Sequence, residues 1–483
     1  MKKLFIILLA LPCLMSFKES DRIIEKPIFG IRDFGMLEIN KIILTDTATI
    51  LHIEAFLNPY FVLNICSLTY LQGNGIKYQV SRSEGIDLDK KLDLKESGKI
   101  DFSLFFPPID KSIKSIDFIE SDCDNCFKMY DIDLTGNNLI TDKPEGLPDE
   151  AVNSIPNLSV SMQEASLEVG TALINLHLLG YKKGMSFGKA KLYNVRFFPS
   201  GQEEIDAVID ENTGIATFEF EQYGITRNMI MAPGCMISVI ISPGTMNIYI
   251  DLKEVGRQLS YYLETEESKR IAYFTDQNAD VNRIINSDYR KYGINLNSDE
   301  TLNDISGMSE DEYINYIALR YKKAYDIIFQ ATNLSNLEKD FLDNDNKMYV
   351  HYNILYGNHL LEKAYNHSVP AEKQSEVKFR TPQFTKEHFN VIKDYRIEGV
   401  KYLYTELFPY TYSIYFNRNV DLEIITGQKE SFLHDLQKMV LISDKVGKME
   451  DLTDKDKANI ALTKNPFFSN AIYSFLEKNM NKK

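Results

Sequence analysis

A chain of 483 residues, 44% hydrophobic and 12% aromatic, has material for more than one core, roughly three units at ordinary domain size, and is not a disordered composition. Its formal net charge of −15, with no stripe of Lys and Arg to offset it, excludes a nucleic-acid binder that works by neutralising phosphates. The absence of Trp also removes the commonest sugar-stacking ring, although 28 Tyr remain.

Residues 1–20 read as a bacterial export signal: Lys2 and Lys3 precede an apolar run over 4–15, and the chain turns polar at Lys18, Glu19 and Ser20. That run is too short to span a bilayer as a permanent helix. Cys13 is the lipidation candidate, but Ala10-Leu11-Pro12 before it suits a lipobox poorly because proline would sit beside the cleaved bond. The expectation is a periplasmic or outer-membrane-associated protein with no transmembrane segment after cleavage.

Residues 23–136 predict an antiparallel β-sandwich with strands at 36–44, 48–56, 61–71, 76–82, 99–106, 115–120 and 127–134. Gly73-Asn74-Gly75 supplies a tight hairpin, Pro107-Pro108 ends a strand, and Cys66, in register with Leu68 and Tyr70, reads as a core position. Asn137, Pro144, Gly146 and Pro148 interrupt every periodicity, so 137–156 reads as a linker. A second sandwich of five or six strands is predicted over 157–252, with Ala172, Ile174, Leu176 and Leu178 on one face and Asn175 and His177 on the other. From 253 to 483 the apolar period becomes helical. Ser309 with Glu312 and Thr453 with Asp456 are capping boxes, and a last helix is predicted over 467–479. The fold class is therefore multidomain α+β: two antiparallel β-sandwich domains, then an all-α domain.

Cys123-Asp124-Asn125-Cys126 is the one pair with a catalytic spacing. Glu120, Asp122 and Asp124 surround it, and negative charge raises a thiol pKa where a dithiol catalyst needs it lowered. The residues after it alternate like a strand and do not open a helix whose N-terminus would stabilise a thiolate. Cys66, Cys123, Cys126 and Cys235 remain after signal removal, an even number, and Cys123 with Cys126 is the disulfide candidate. A zinc site would need two isolated cysteines for its second half.

No metal or cofactor site is expected. His351, His359 and His367 are eight residues apart and do not stack on one helix face, so they read as solvated or capping residues. Asp343-x-Asp345-x-Lys347 and Asp276-x-Asn278-x-Asp280 begin like calcium loops but fail at Lys347, Met348 and Ile354, and at Val281 and Ser287, and read as loops or caps. No Gly-x-Ser-x-Gly, P-loop or dinucleotide fingerprint occurs. The tyrosines from Tyr402 to Tyr415 read as amphipathic core, with glycan binding the alternative. Asp46-Thr47-Ala48 resembles the O-glycosylation sequon of exported Bacteroidetes proteins and makes Thr47 the glycosylation candidate.

Three stretches together resemble the N-terminal accessory region of Bacteroidetes TlpA-like thiol-disulfide oxidoreductases: Leu37 to Thr49 with Ser115 to Phe127; Lys191 to Phe197 through Asp210-Glu211-Asn212-Thr213-Gly214 to Tyr249-Ile250-Asp251-Leu252; and Asn465 to Tyr473. The resemblance implies β and helical regions ahead of a thioredoxin-like module carrying Trp-Cys-x-x-Cys. This sequence has no Trp and no cysteine after Cys235, so no catalytic residue carries over. The expected function is an exported accessory or binding protein with an envelope protein or peptide as partner. The alternatives are a thiol-disulfide oxidoreductase using Cys123 and Cys126, or a truncated part of such an enzyme.

Overall fold

The computed structural model describes residues 21–32, 34–56, 62–93, 98–123, 126–136, 143–152, 161–183, 185, 187–261, 269–370, 373, 379–397 and 399–480. Cys13 and the expected signal segment lie outside the described residues, as do Asp124 and Asn125 and parts of the expected linker. Over the described residues the chain forms two compact units, Met1–Ile140 with Gly256–Leu263 and Thr141–Val255 with Glu264–Lys483.

The first unit is a sandwich of two five-stranded sheets. One orders Arg22–Glu25, Leu37–Leu44, Thr49–Phe56, Lys99–Phe106 and Arg82–Glu84; the other orders Ile31–Arg32, Lys128–Asp133, Ser115–Ile119, Tyr70–Gly73 and Ile76–Gln79. Alternation puts Leu51, Ile53, Phe102 and Leu104 of the first sheet into one core with Leu71, Phe118, Met129 and Ile132 of the second. Asn74 and Gly75, both at positive φ, make the tight turn between Tyr70–Gly73 and Ile76–Gln79.

The strand expected at 61–71 is broken, and with it the core role of Cys66. Ser67 and Leu68 form a turn closed by Thr69, whose N–H and hydroxyl donate to the Cys66 carbonyl at 3.0 and 2.6 Å. Local side-chain bonding of this kind competes with a sheet ladder, and it leaves Leu68 63% exposed and Cys66 half-buried. The unit also buries an ion pair. The Arg32 guanidinium donates to Glu38 Oε1 at 3.0 Å and to the carbonyls of Leu37 and Gly256 at 3.1 and 2.9 Å, so the charge is both paired and hydrogen-bonded.

The second unit holds two four-stranded sheets and the helices. One sheet orders Ile215–Tyr223, Val169–Leu179, Gly244–Asp251 and Ala272–Thr275; the other orders Gly201–Val208, Lys189–Arg196, Thr226–Ala232 and Cys235–Ile241. Ala172, Ile174, Leu176 and Leu178 are buried as the alternation predicts. Three details differ from expectation, the first being that the described residues of 157–252 hold seven strands and not five or six. Val169–Leu179 pairs in parallel with Gly244–Asp251, which is possible because the chain makes the whole other sheet between them. Ala272–Thr275 adds a strand inside the stretch expected to be helical. Within the expected linker, Leu147 and Ala151, the latter on the helix Asp149–Val152, pack on Leu179 and Tyr249.

Both predicted capping boxes form. Ser309 N–H donates to Glu312 at 2.8 Å while Glu312 N–H donates back to Ser309 at 3.4 Å, opening the helix Glu310–Gln330 with Ile314, Ile317, Ala324 and Ile328 buried. Ser335 and Glu338 make a third box at the start of Asn336–Leu355. Phe197 and Phe198 follow the end of the interior strand Lys189–Arg196 and enter the helical layer. Phe197 lies 5.9 Å from both Phe408 and Phe432, and Phe198 lies 5.0 Å from Phe468. Sheet and helix residues therefore share one hydrophobic cluster.

His351 is not the solvated or capping residue its spacing suggests. It is fully buried; Nε2–H donates to the Tyr395 carbonyl at 2.8 Å, which leaves Nδ1 to accept from the Tyr415 hydroxyl at 2.6 Å. Burial holds this imidazole down at about 4. Between about 6.5 and about 4 the unfolded chain binds the proton and the folded one does not, so the stability contributed by neutral His351 is present above pH 6.5 and lost as pH falls through that window. A His351→Leu variant should lose this dependence, worth roughly 3 kcal/mol at full extent, in urea unfolding followed from pH 7 to pH 4. An acid dependence identical to that of the parent chain would refute the assignment.

Candidate functional site

The dithiol region lies at the end of a hairpin in the first unit. Cys123 and Cys126 are joined by a disulfide, and the chain continues directly into the strand Lys128–Asp133, so no helix begins at the pair. Glu120, Asp122 and Lys128 flank the pair. Glu120 is turned into the backbone, accepting from Phe127 N–H at 3.0 Å, and its burial pushes its carboxyl above the usual range. Asp122 accepts from the Tyr70 hydroxyl at 2.7 Å, which holds its pKa low. Lys128, buried, donates from Nζ to the Cys123 carbonyl at 2.6 Å. The two described carboxylates are thus engaged elsewhere and an ammonium accompanies them. After Cys126 the extended backbone offers no helix N-terminus that would stabilise a thiolate. Cys123 is exposed.

The other sequence candidates disperse. Asp343 and Lys347 are not a loop or a cap; they pair at 2.8 Å within the helix Asn336–Leu355. Asp345 lies between them on that helix. Burial raises its carboxyl while Arg227 opposes the rise, and Asp345 accepts from Glu406 N–H at 3.3 Å. Among the tyrosines, Tyr402, Tyr404 and Tyr415 are buried and Tyr410 is 63% exposed, so the stretch is core and presents no row of rings. His359 is exposed and shares no cluster with His351. Thr47 sits exposed in the turn between Leu37–Leu44 and Thr49–Phe56, its N–H donating to Thr45 Oγ1 at 3.2 Å. Among the described residues no three His, Cys, Asp or Glu converge as metal ligands, and no helix is long and apolar enough to cross a membrane.

A pocket of about 250 Å³ lies in the second unit, lined by Ser242, Pro243, Gly244, Thr245, Met246, Asp276 and Gln277. Two neighbouring strands build it. The Ser242-Pro243 turn delivers the chain from Cys235–Ile241 into Gly244–Asp251, and Asp276 follows immediately on the adjacent strand Ala272–Thr275, where Thr275 pairs with Asn247. Gly244 has φ +123 and nothing within 4 Å of the position a Cβ would take, so the wall is open there. The Ser242 hydroxyl accepts from Gln277 Nε2 at 2.6 Å and Asn278 Nδ2 at 2.9 Å, leaving its own hydrogen to donate. Asp276 Oδ1 is buried and has no hydrogen-bond partner among the described residues. Burial pushes this carboxyl up to about 7.

The pocket therefore offers a fixed hydroxyl donor and an acid close to half-protonated at neutral pH. It can receive a small amine or hydroxyl group, with Asp276 the one acid among its lining residues. Asp276 does not stand out in the sequence, where its calcium-loop spacing fails at Val281 and Ser287. The signal that would have found it is the carboxylate directly after an Ala-Tyr-Phe-Thr strand, where only tertiary pairing reveals the Ser-Pro-Gly turn beside it.

No family model, no curated protein and no solved structure matches this chain.

The unfolded carboxyl titrates near 3.8 and the folded one near 7, so the folded state binds the extra proton between them. Stability from Asp276 is full below pH 3.8 and declines as pH rises to about 7. Asp276→Asn should abolish that decline and leave the variant more stable than the parent at pH 8, by up to roughly 4 kcal/mol. Urea midpoints of the two proteins at pH 5 and pH 8 measure it, and a constant difference between them would show that Asp276 titrates normally.

Proposed function

We propose that this chain is an exported binding or scaffold component of the cell envelope, related to the accessory region of TlpA-like thiol-disulfide oxidoreductases and not itself a thiol catalyst. The observation that carries the reading is the backbone at Cys126: the chain enters a strand, and no helix N-terminus is there to lower a thiol pKa. The resemblance along the sequence supports the family relation, and Lys2 and Lys3 ahead of the apolar run over 4–15 support export to the periplasm or outer membrane. The pocket at Ser242 and Asp276, where a buried acid oxygen lacks a partner among the described residues, supports ligand or peptide binding.

One pair of observations favours the second reading, in which Cys123 attacks and Cys126 resolves: Cys123 is exposed, and the Lys128 ammonium bonds its carbonyl. Insulin reduction with dithiothreitol separates the two. The mature protein should leave the rate at its uncatalysed value, and Cys123→Ser should change nothing. Turnover that Cys123→Ser abolishes would establish the oxidoreductase and end the binding-only reading.

A further inference from the structure

The sheet ordered Gly201–Val208, Lys189–Arg196, Thr226–Ala232 and Cys235–Ile241 turns one face inward and one outward. On the outward face the register sets Arg227 opposite Ile240, Met229 opposite Ser238 and Met231 opposite Met236. Helical residues cover the first of these pairs and reach the second. Arg227 Nη2 donates to the Tyr289 hydroxyl at 3.1 Å, and Asn286 Nδ2 donates to the Ser238 carbonyl at 2.7 Å. Beyond that line the cover ends, and Met229, Met231 and Met236 are 42%, 42% and 61% exposed.

Residues directly opposite on antiparallel strands hold their Cβ atoms about 5 Å apart, and diagonal neighbours roughly 7–8 Å. Met231 and Met236 are in the first relation, Met229 and Met236 in the second, and Met229 and Met231 follow each other on one strand face. Methionine side chains are unbranched and flexible, so three sulfurs at these separations can meet above the hairpin. On the next strand, Lys191 stands opposite Met231 and Tyr193 opposite Met229, and the Lys191 ammonium is paired with Glu204 at 2.6 Å. Neutral thioethers are soft ligands that select monovalent copper over magnesium, calcium or manganese.

We propose that Met229, Met231 and Met236 form a surface thioether site for a soft monovalent metal ion, Cu(I) in kind, with Ag(I) as its redox-inert surrogate. Three sulfurs complete a trigonal set with no charged ligand. Cys235 adjoins Met236 in sequence but alternates to the other face, and burial pushes its thiol up to about 12, so it supplies no thiolate. The net charge of −15 favours approach of a cation to a site that carries no charge of its own. The site is separate from the Asp276 pocket and does not depend on the binding role proposed above.

The test uses the full chain with Cys66→Ser and Cys235→Ala, the Cys123–Cys126 disulfide intact, and methionine ε-methyl groups labelled with ¹³C. Ag(I) titration should shift three of the methionine methyl resonances, those of Met229, Met231 and Met236, and saturate at one equivalent. Under anaerobic ascorbate the protein should withdraw Cu(I) from its bicinchoninate complex. The triple variant Met229→Leu, Met231→Leu, Met236→Leu keeps the apolar surface and should lose that withdrawal with an unchanged circular dichroism spectrum. Silver shifts confined to other methionines, or a triple variant that still takes up one Cu(I), would overturn the proposal.

Discussion

Every sheet has two faces, and what covers each one decides what this protein can do. In the second unit, Phe197 and Phe198 emerge at the end of an interior strand and pack among Phe408, Phe432, Phe467 and Phe468, so sheet and helices close over a single apolar cluster. Aromatic burial of this size dominates core energetics, and the contacts run between residues more than 200 positions apart in the chain. The same packing stops short. Arg227 and Ser238 mark the edge of the helical cover on one sheet, and the hairpin beyond carries three partly exposed methionines.

Polar groups follow the same accounting. Arg32, His351 and the capping serines are buried or terminal groups whose hydrogen bonds are met by named partners, and these are the positions where the fold is most strongly specified. Asp276 Oδ1 is one of several contrasts, a buried oxygen with no partner among the described residues, and it stands beside an open pocket. Its burial costs the folded state free energy at neutral pH, which a bound donor would offset. Strain of this kind points to a ligand more directly than the cysteine spacing does, because the disulfide at Cys123 has an ordinary structural role available to it at the end of a hairpin.

Much of the architecture was legible in local pattern. The alternation of Lys99–Phe106 and Val169–Leu179, the Asn74-Gly75 turn and the capping boxes at Ser309 and Thr453 all depend on neighbours within a few residues, and these stand where periodicity put them. What escaped was set by partners distant in sequence. Cys66 alternates like a core strand residue, yet Thr69 bonds back to its carbonyl and turns the chain. His351 has the spacing of a surface histidine but meets Tyr395 and Tyr415 in the core. The short strand Ala272–Thr275 is helical in its surroundings and is drawn into a sheet by Gly244–Asp251. Asp276, the residue of most functional interest, follows from that last pairing and so could not be read from its own neighbours.

The account stands on the second sheet pair and the helices being one cooperative body, since that union both leaves the methionine face open and fixes the wall of the Asp276 pocket. Hydrogen exchange under increasing denaturant measures it peptide by peptide. Peptides from the strands Thr226–Ala232 and Cys235–Ile241 and from the helices Phe432–Gly447 and Phe467–Met480 should lose protection together, at one free energy. Helices that open at a much lower free energy while the strands keep their protection would contradict it.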